Sequence, residues 1–211
     1  VRELAVPSSI TQGDFTCGAT SLQVQLAVEN PAEYVRLLSG LASPSGSVEL
    51  ANGDRLEREP HWNADELRSL PSRLLQSAFM EYANGAAWDY DPATDRSVGS
   101  LLGNRGQSGA GLEGIEMARL EGALFGRGSR VVPSPGANPT RDDLEAVLAN
   151  LPSVVGLAFP EGTVAPVNGH AVVVTDVNDG VVTYVNPQSG LECTMPLEQF
   201  QQQFLYGLAS E

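Results

Sequence analysis

Four residues carry the chemical promise of this chain: Gln12, Cys17, His170 and Asn186. A cysteine attacks only as its thiolate, so a nucleophilic cysteine needs surroundings that favour negative sulfur. Cys17 lies in QGDFTCGATSL, where a helical pattern begins, and the N–H groups of a helix start favour an anion. Gly18 follows and would let a substrate approach the backbone. Gln12 offers a side-chain amide to a developing oxyanion, with the Cys17 N–H as second donor. His170 opens the run HAVVVTDV, and Asn186 stands 16 residues on, at the end of VVTYVN. A tight hairpin at Asn178-Asp179-Gly180 brings those two ends together. Asn186 then fixes the tilt and tautomer of His170, which acts as base and as counter-ion of the thiolate.

Each of these residues has an ordinary reading. A free cysteine is most often a small buried hydrophobe, a histidine at a strand start is often merely hydrogen-bonded there, and Asn-Pro is a turn starter. The four together, in this order and on these elements, favour catalysis. The second histidine, His61 beside Trp62, reads as a surface or loop residue, and Cys193 as a packed residue of the C-terminal strands. No third ligand with credible spacing joins the histidines, so no metal site is expected.

The elements that must position the site can be read from periodicity. Leu22, Leu26 and Ala27, with Ala19 a turn earlier, give a helical face from about Cys17 to Asn30, and a short helix over 32–41 follows. Leu74, Leu75, Ala78, Phe79 and Tyr82 predict a helix over 71–82, closed by Asn84-Gly85. A weaker helix covers 112–124. Thr140, with Asp143 three residues on, predicts an N-capped helix over 140–151. Strands are expected over 129–132, 153–159, 170–177 and 181–186, then a helix and a last strand within 196–211. Helices first and antiparallel strands last make the class α+β. The stretch 99–114 holds six glycines and reads as a loop bordering the cleft, with Gly111, Asn168 and Gly169 beside the substrate. Val164, Pro166 and Val167 would line the same side.

The segments TQGDFTCGATSL, NGHAVVVTDV and VVTYVNPQSG resemble the papain-like cysteine peptidases, most closely their C39-like branch. The spacing agrees: His170 lies 153 residues beyond Cys17, against about 130–150 in papain-like enzymes. Asn186 stands where the C39-like branch more often has Asp, and is the papain choice. The resemblance implies an N-terminal helical lobe carrying Cys17 and a C-terminal antiparallel sheet carrying His170 and Asn186. It implies one domain over 1–211 with an insertion of about 41–130. The implied reaction is peptide-bond hydrolysis through a Cys17 thioester, without cofactor or metal, on a protein or peptide substrate. Glutamine deamidases and transglutaminases on papain-like folds share that thioester, and a non-catalytic binding module is a third possibility.

Composition limits the partners. With 211 residues, 42% hydrophobic and 18% charged, the chain is long enough for a core. A net charge of −14 disfavours nucleic acid and anionic membranes, and no apolar run approaches the ~20 residues that span a bilayer. All twelve bases are arginine, which reads first as the mark of a GC-rich genome and second as that of a protein delivered into cells where lysine would invite ubiquitination. The absent lysines, the start at Val1 and the long middle stretch suggest the catalytic domain of a larger bacterial secreted toxin or effector, delivered into a target cell and met there by a cognate inhibitor or immunity protein.

Overall fold

The structure, a computed structural model, describes residues 2–64, 67–99, 108–109, 111–158 and 169–210. From the N-terminus come the helices α1 (Arg2–Ala5), α2 (Cys17–Glu29) and α3 (Pro31–Ala42), then the hairpin of β1 (Ser47–Glu49) and β2 (Arg55–Glu57). Next are α4 (Leu70–Asn84), the small sheet β3 (Trp88–Asp91), β4 (Arg96–Gly99) and β5 (Ser108–Gly109), and α5 (Gly114–Phe125). The last third comprises β6 (Ser129–Val132), α6 (Arg141–Leu148), β7 (Ser153–Leu157), β8 (His170–Asn178), β9 (Val181–Asn186), β10 (Leu191–Pro196), α7 (Leu197–Gln203) and β11 (Phe204–Ser210).

Six strands form one antiparallel sheet in the order β10-β9-β8-β7-β11-β6. Successive side chains of a strand point to opposite faces, and β8 shows this cleanly. Ala171 and Val173 face a core shared with α2, whereas Val172 and Val174 face a second core with Leu144 and Val147 of α6 and Phe200 of α7. Burial on both faces explains the near-continuous apolar run HAVVV. The β8–β9 turn places Asp179 and Gly180 at φ of 48° and 75°, the left-handed pair that a two-residue hairpin turn demands. The chain is therefore α+β, with a helical part bearing Cys17 and a C-terminal antiparallel sheet bearing His170 and Asn186.

Within the stretch 41–130, Leu75, Phe79 and Met80 of α4 and Met117, Leu120 and Leu124 of α5 pack in the same cluster as Leu22 and Leu26. One expectation needs correction: α2 has no single apolar face, because every residue from Gly18 to Ala27 is buried. Of its polar members, the Thr20 and Ser21 hydroxyls are buried with no hydrogen-bond partner among the described residues, whereas Gln23 and Gln25 are paired. Gln23 Nε2 donates to Tyr34 Oη at 2.9 Å, and Gln25 Nε2 to Glu121 Oε1 at 2.7 Å. A helix enclosed on all sides shows little amphipathicity. Burying those amides without partners would cost ~1–3 kcal/mol each.

Candidate active site

Cys17 is the first residue of α2. Its N-cap, Thr16, does not cap the helix: the Thr16 hydroxyl instead accepts from Gly13 N at 2.8 Å. The N–H groups of the first turn are thereby left for another acceptor. The backbone N–H groups of Cys17 and Gly18, with that of Ala171 on β8, act on the sulfur and favour its thiolate. Burial opposes them and is the larger effect, so the thiol stands above its ordinary range.

The loop that presents Cys17 is tied from beneath. Phe15 N donates to Asp95 Oδ2 at 2.6 Å, and the Tyr90 hydroxyl bonds the other carboxylate oxygen. Arg68, 3% exposed, lies 3.8 Å from Asp95 and donates to Gln76 Oε1 at 2.9 Å. Gln76 Nε2 in turn donates to Thr11 O at 3.0 Å. The backbone at Asp95 is left-handed, with φ of 53°, which Asp and Asn adopt more readily than other side chains. A Cβ on Gly13 would lie 2.5 Å from Asp95 Oδ2, so the close approach of loop and carboxylate requires glycine there.

On the sheet, His170 Nε2 and Asn186 Oδ1 are 2.8 Å apart, and the same Oδ1 accepts from Gln188 N at 3.0 Å. An atom accepting from a backbone N–H is the amide oxygen, so Nε2 is the ring donor and Nδ1 carries the lone pair. That is the tautomer a base toward Cys17 needs. Burial pushes the His170 pKa down, partly offset by Asn186. Burial thus pushes the thiol up and the imidazole down, each toward its neutral form. Gln12 N donates to Pro187 O at 3.0 Å, which ties the oxyanion candidate to the turn that follows Asn186.

Cys17, His170, Gln12, Gly111 and Gly169 line one cleft of about 440 Å³. Gln12 Oε1 is buried with no hydrogen-bond partner among the described residues. Asn186 stands behind His170, in the position of a support. Gly18 is elsewhere: a Cβ there would meet Met117 Sδ at 2.6 Å, so helix packing calls for glycine at this position and not substrate access. Asn168, Val164, Pro166 and Val167 lie outside the described residues, as do 100–107 and 110 of the glycine-rich stretch. Of its described residues, Gly109 and 111–114 line the cleft, whereas Gly99 and Ser108 do not. His61 is exposed, and Cys193 is a free, partly buried residue of β10 facing Tyr184.

Several cleft residues outside the glycine-rich stretch had no signal in the sequence. Trp88 and Ser97 bring the small sheet to the site beside Gly109, and Asp14 and Glu116 join Glu113 in making its lining acidic. Tyr206 of β11 completes it, with its phenol in the electrostatic reach of Cys17. Only the DPATD turn hinted at Asp95, as a turn.

No family model matches the chain, and no curated protein matches it. Among solved structures, Ly7917 with the hydrolyzing product of MDP is similar at a TM-score of 0.31 and 16% identity, over 84% of this chain and 61% of that one. Ly7917 alone gives 0.29 and 14%, over 84% and 62%. The chain thus spans about three fifths of the length of Ly7917.

Proposed function

We propose that the chain is a cysteine peptidase of the papain-like kind, acting through a Cys17 thioester. The observation that carries this reading is the His170–Asn186 hydrogen bond, which sets His170 in the base tautomer on the same cleft as a helix-start cysteine. In the first step His170 Nδ1 takes the Cys17 proton as the sulfur attacks the amide carbonyl. The N–H of Cys17 and the Gln12 amide meet the oxyanion. The imidazolium then protonates the leaving amine, and the acyl group stays on sulfur. Water, deprotonated by the same nitrogen, releases the acid and restores the thiol.

Burial suits the first step. A neutral imidazole at neutral pH is a competent base, and three backbone N–H groups await the charge that forms on sulfur. Aromatic Trp88 and Phe15 with Asp14, Glu113 and Glu116 give walls for an extended peptide. The test is mass spectrometry of new chain termini in a protein mixture exposed to wild type and to Cys17→Ala. New termini are expected with wild type alone. Ammonia release without new termini would reassign the site to deamidation or amine transfer. Neither product would leave a binding module and overturn the enzymatic reading.

A further inference from the structure

One wall of the cleft is made where the end of α4 meets the small sheet. Asn84, the last residue of α4, and Ser97 of β4 are 7% and 4% exposed, yet both line the cleft. Asn84 Nδ2 donates to Ser97 Oγ at 2.8 Å, and Asn84 Oδ1 has no donor among the described residues. An acceptor so enclosed calls for a donor, and the cleft is where one can arrive. Ser97 pairs with Gly109 of β5. A Cβ on Gly109 would lie 3.6 Å from Trp88 Cζ3 and 3.7 Å from Ser97 Cβ, so its missing side chain leaves a slot beside the indole and Ser97.

The charge around this slot has one sign. Arg119 of α5 donates to Tyr82 O at 2.8 Å and also to Ala83 O, which fixes α5 against the Asn84 end of α4. Glu116 lies one turn before Arg119 on the same side of the helix, and it lines the cleft with Glu113 and Asp14. Glu116 Oε2 accepts from Glu113 N at 2.7 Å. Asp14 is exposed, with no hydrogen bond or ion pair among the described residues. Apart from His170, no described lining residue is basic. Two arginines come near and both are engaged: Arg119 on the α4 carbonyls, and Arg96 over the Phe15 ring, 4.5 Å from its centroid. A single exposed acid attracts a cation weakly, but three on the walls of one cleft focus the field inside it. Burial is the first cause that lifts the Glu116 carboxyl above its ordinary range, and an incoming cation offsets that cost.

We infer that this wall is a subsite for a basic side chain of the substrate, an arginine or lysine, a role that rests on the cleft being a peptidase site. The stem of that side chain lies along Trp88, and its head donates to Asn84 Oδ1 and is balanced by the Glu116 carboxylate. An aromatic face suits a cation, and a head with several donors and no acceptor matches an amide oxygen among carboxylates. A neutral aliphatic side chain would leave the oxygen unpaired, and an acidic one would bring like charges together.

The first test is calorimetric binding by Cys17→Ala, which removes the attacking sulfur. Two peptides are compared: an arginine flanked by alanines, and the same peptide with citrulline, the neutral isostere of arginine. The arginine peptide should bind about tenfold tighter, as expected for one hydrogen bond to a charged group, and the margin should shrink as salt is raised. In the same background, Glu116→Gln keeps an acceptor for Glu113 N and should lose most of the margin. Gly109→Ala, whose methyl meets its neighbours at ordinary contact distance, should fill the slot and weaken the arginine peptide. Equal affinities for the two peptides, or no binding of either, would overturn the inference. The second test is the sequence around the new termini that wild type makes in a protein mixture, where arginine and lysine should be enriched beside the cut. Termini without that enrichment would overturn the subsite and leave the peptidase. Arginine-selective binding without any new termini would keep the subsite and overturn the peptidase.

Discussion

Replacing Asp95 should show how strongly the nucleophile depends on a residue 78 positions away in the chain. Asp95→Ala removes the acceptor of Phe15 N, now 2.6 Å from Oδ2, and the acceptor of the Tyr90 hydroxyl. A hydrogen bond to a charged group contributes ~1.5–3 kcal/mol, and the neutral donor left behind costs about 1 more. Alanine at φ of 53° adds about 1 kcal/mol of backbone strain. The expected loss is about 4 kcal/mol at neutral pH, a large share of the ~5–15 kcal/mol that keeps a domain folded. Asp95→Asn keeps the left-handed backbone and one acceptor, losing only the charge and its attraction to Arg68 at 3.8 Å, so ~1–2 kcal/mol is expected. Urea unfolding of the three proteins gives these differences. In the folded fraction, Asp95→Ala should also lower kcat about 10²-fold, because an ångström of misplacement has that effect on a reacting group. An Asp95→Ala protein within about 1 kcal/mol of wild type would refute the view that this carboxylate holds the loop.

Two further outcomes can be checked independently. Asn186→Ala should lower kcat about 10²-fold with KM little changed, since His170 loses its orienting acceptor while the cleft walls stay; an unchanged kcat would refute the orienting role. Glu81, whose Oε2 accepts from Tyr90 N at 2.8 Å, is pushed up to about 7 first by burial and then by neighbouring carboxylates, Asp89 foremost. Its folded pKa exceeds its ordinary value of 4.5, so the folded state binds the extra proton between them. Stability is then full at the acid end of that window and declines as pH rises toward 7. Thermal midpoints of Glu81→Gln should be flatter than wild type over this range, and parallel curves would exclude the assignment.

The sequence exposed the parts of the site that depend on local chemistry. Asn178-Asp179-Gly180 announces a hairpin, and a hairpin alone brings Asn186 back to His170. A cysteine after a polar segment and before an unbroken helical run announces a helix start. Thr140 and Asp143 form the expected capping box, with Thr140 N bonding Asp143 Oδ2 at 2.9 Å. What stayed hidden depends on contacts between distant segments. Two-residue β5 and three-residue β1 and β2 are too short to show a period. Gln23 and Gln25 of α2 look like solvated residues until Tyr34, Gln76 and Glu121 arrive from other helices to bond them.

The middle of the chain shows the same division. Its glycines and polar residues are loop-like when read in sequence, yet two of its elements determine what Cys17 can do. The turn between β3 and β4 sets Asp95 under the loop before the nucleophile, and the start of α5 walls the cleft with Glu113 and Glu116. Gly13, facing Asp95, and Gly156, over which the Tyr206 ring lies, each lack the side chain that would block such a contact. A glycine that clears a path for a residue far along the chain carries no periodic or motif signal, since its reason lies in the partner. Substitution by alanine at Gly13 should therefore act like loss of Asp95: the added methyl displaces the carboxylate, costing ~1–3 kcal/mol, and moves the nucleophile's loop. Alanine at Gly53, where nothing lies within 4 Å, should meet only the strain of its own φ of 87° and leave Cys17 alkylation unchanged. If both substitutions changed alkylation alike, the tie between Asp95 and the nucleophile's loop would not be what makes Gly13 necessary.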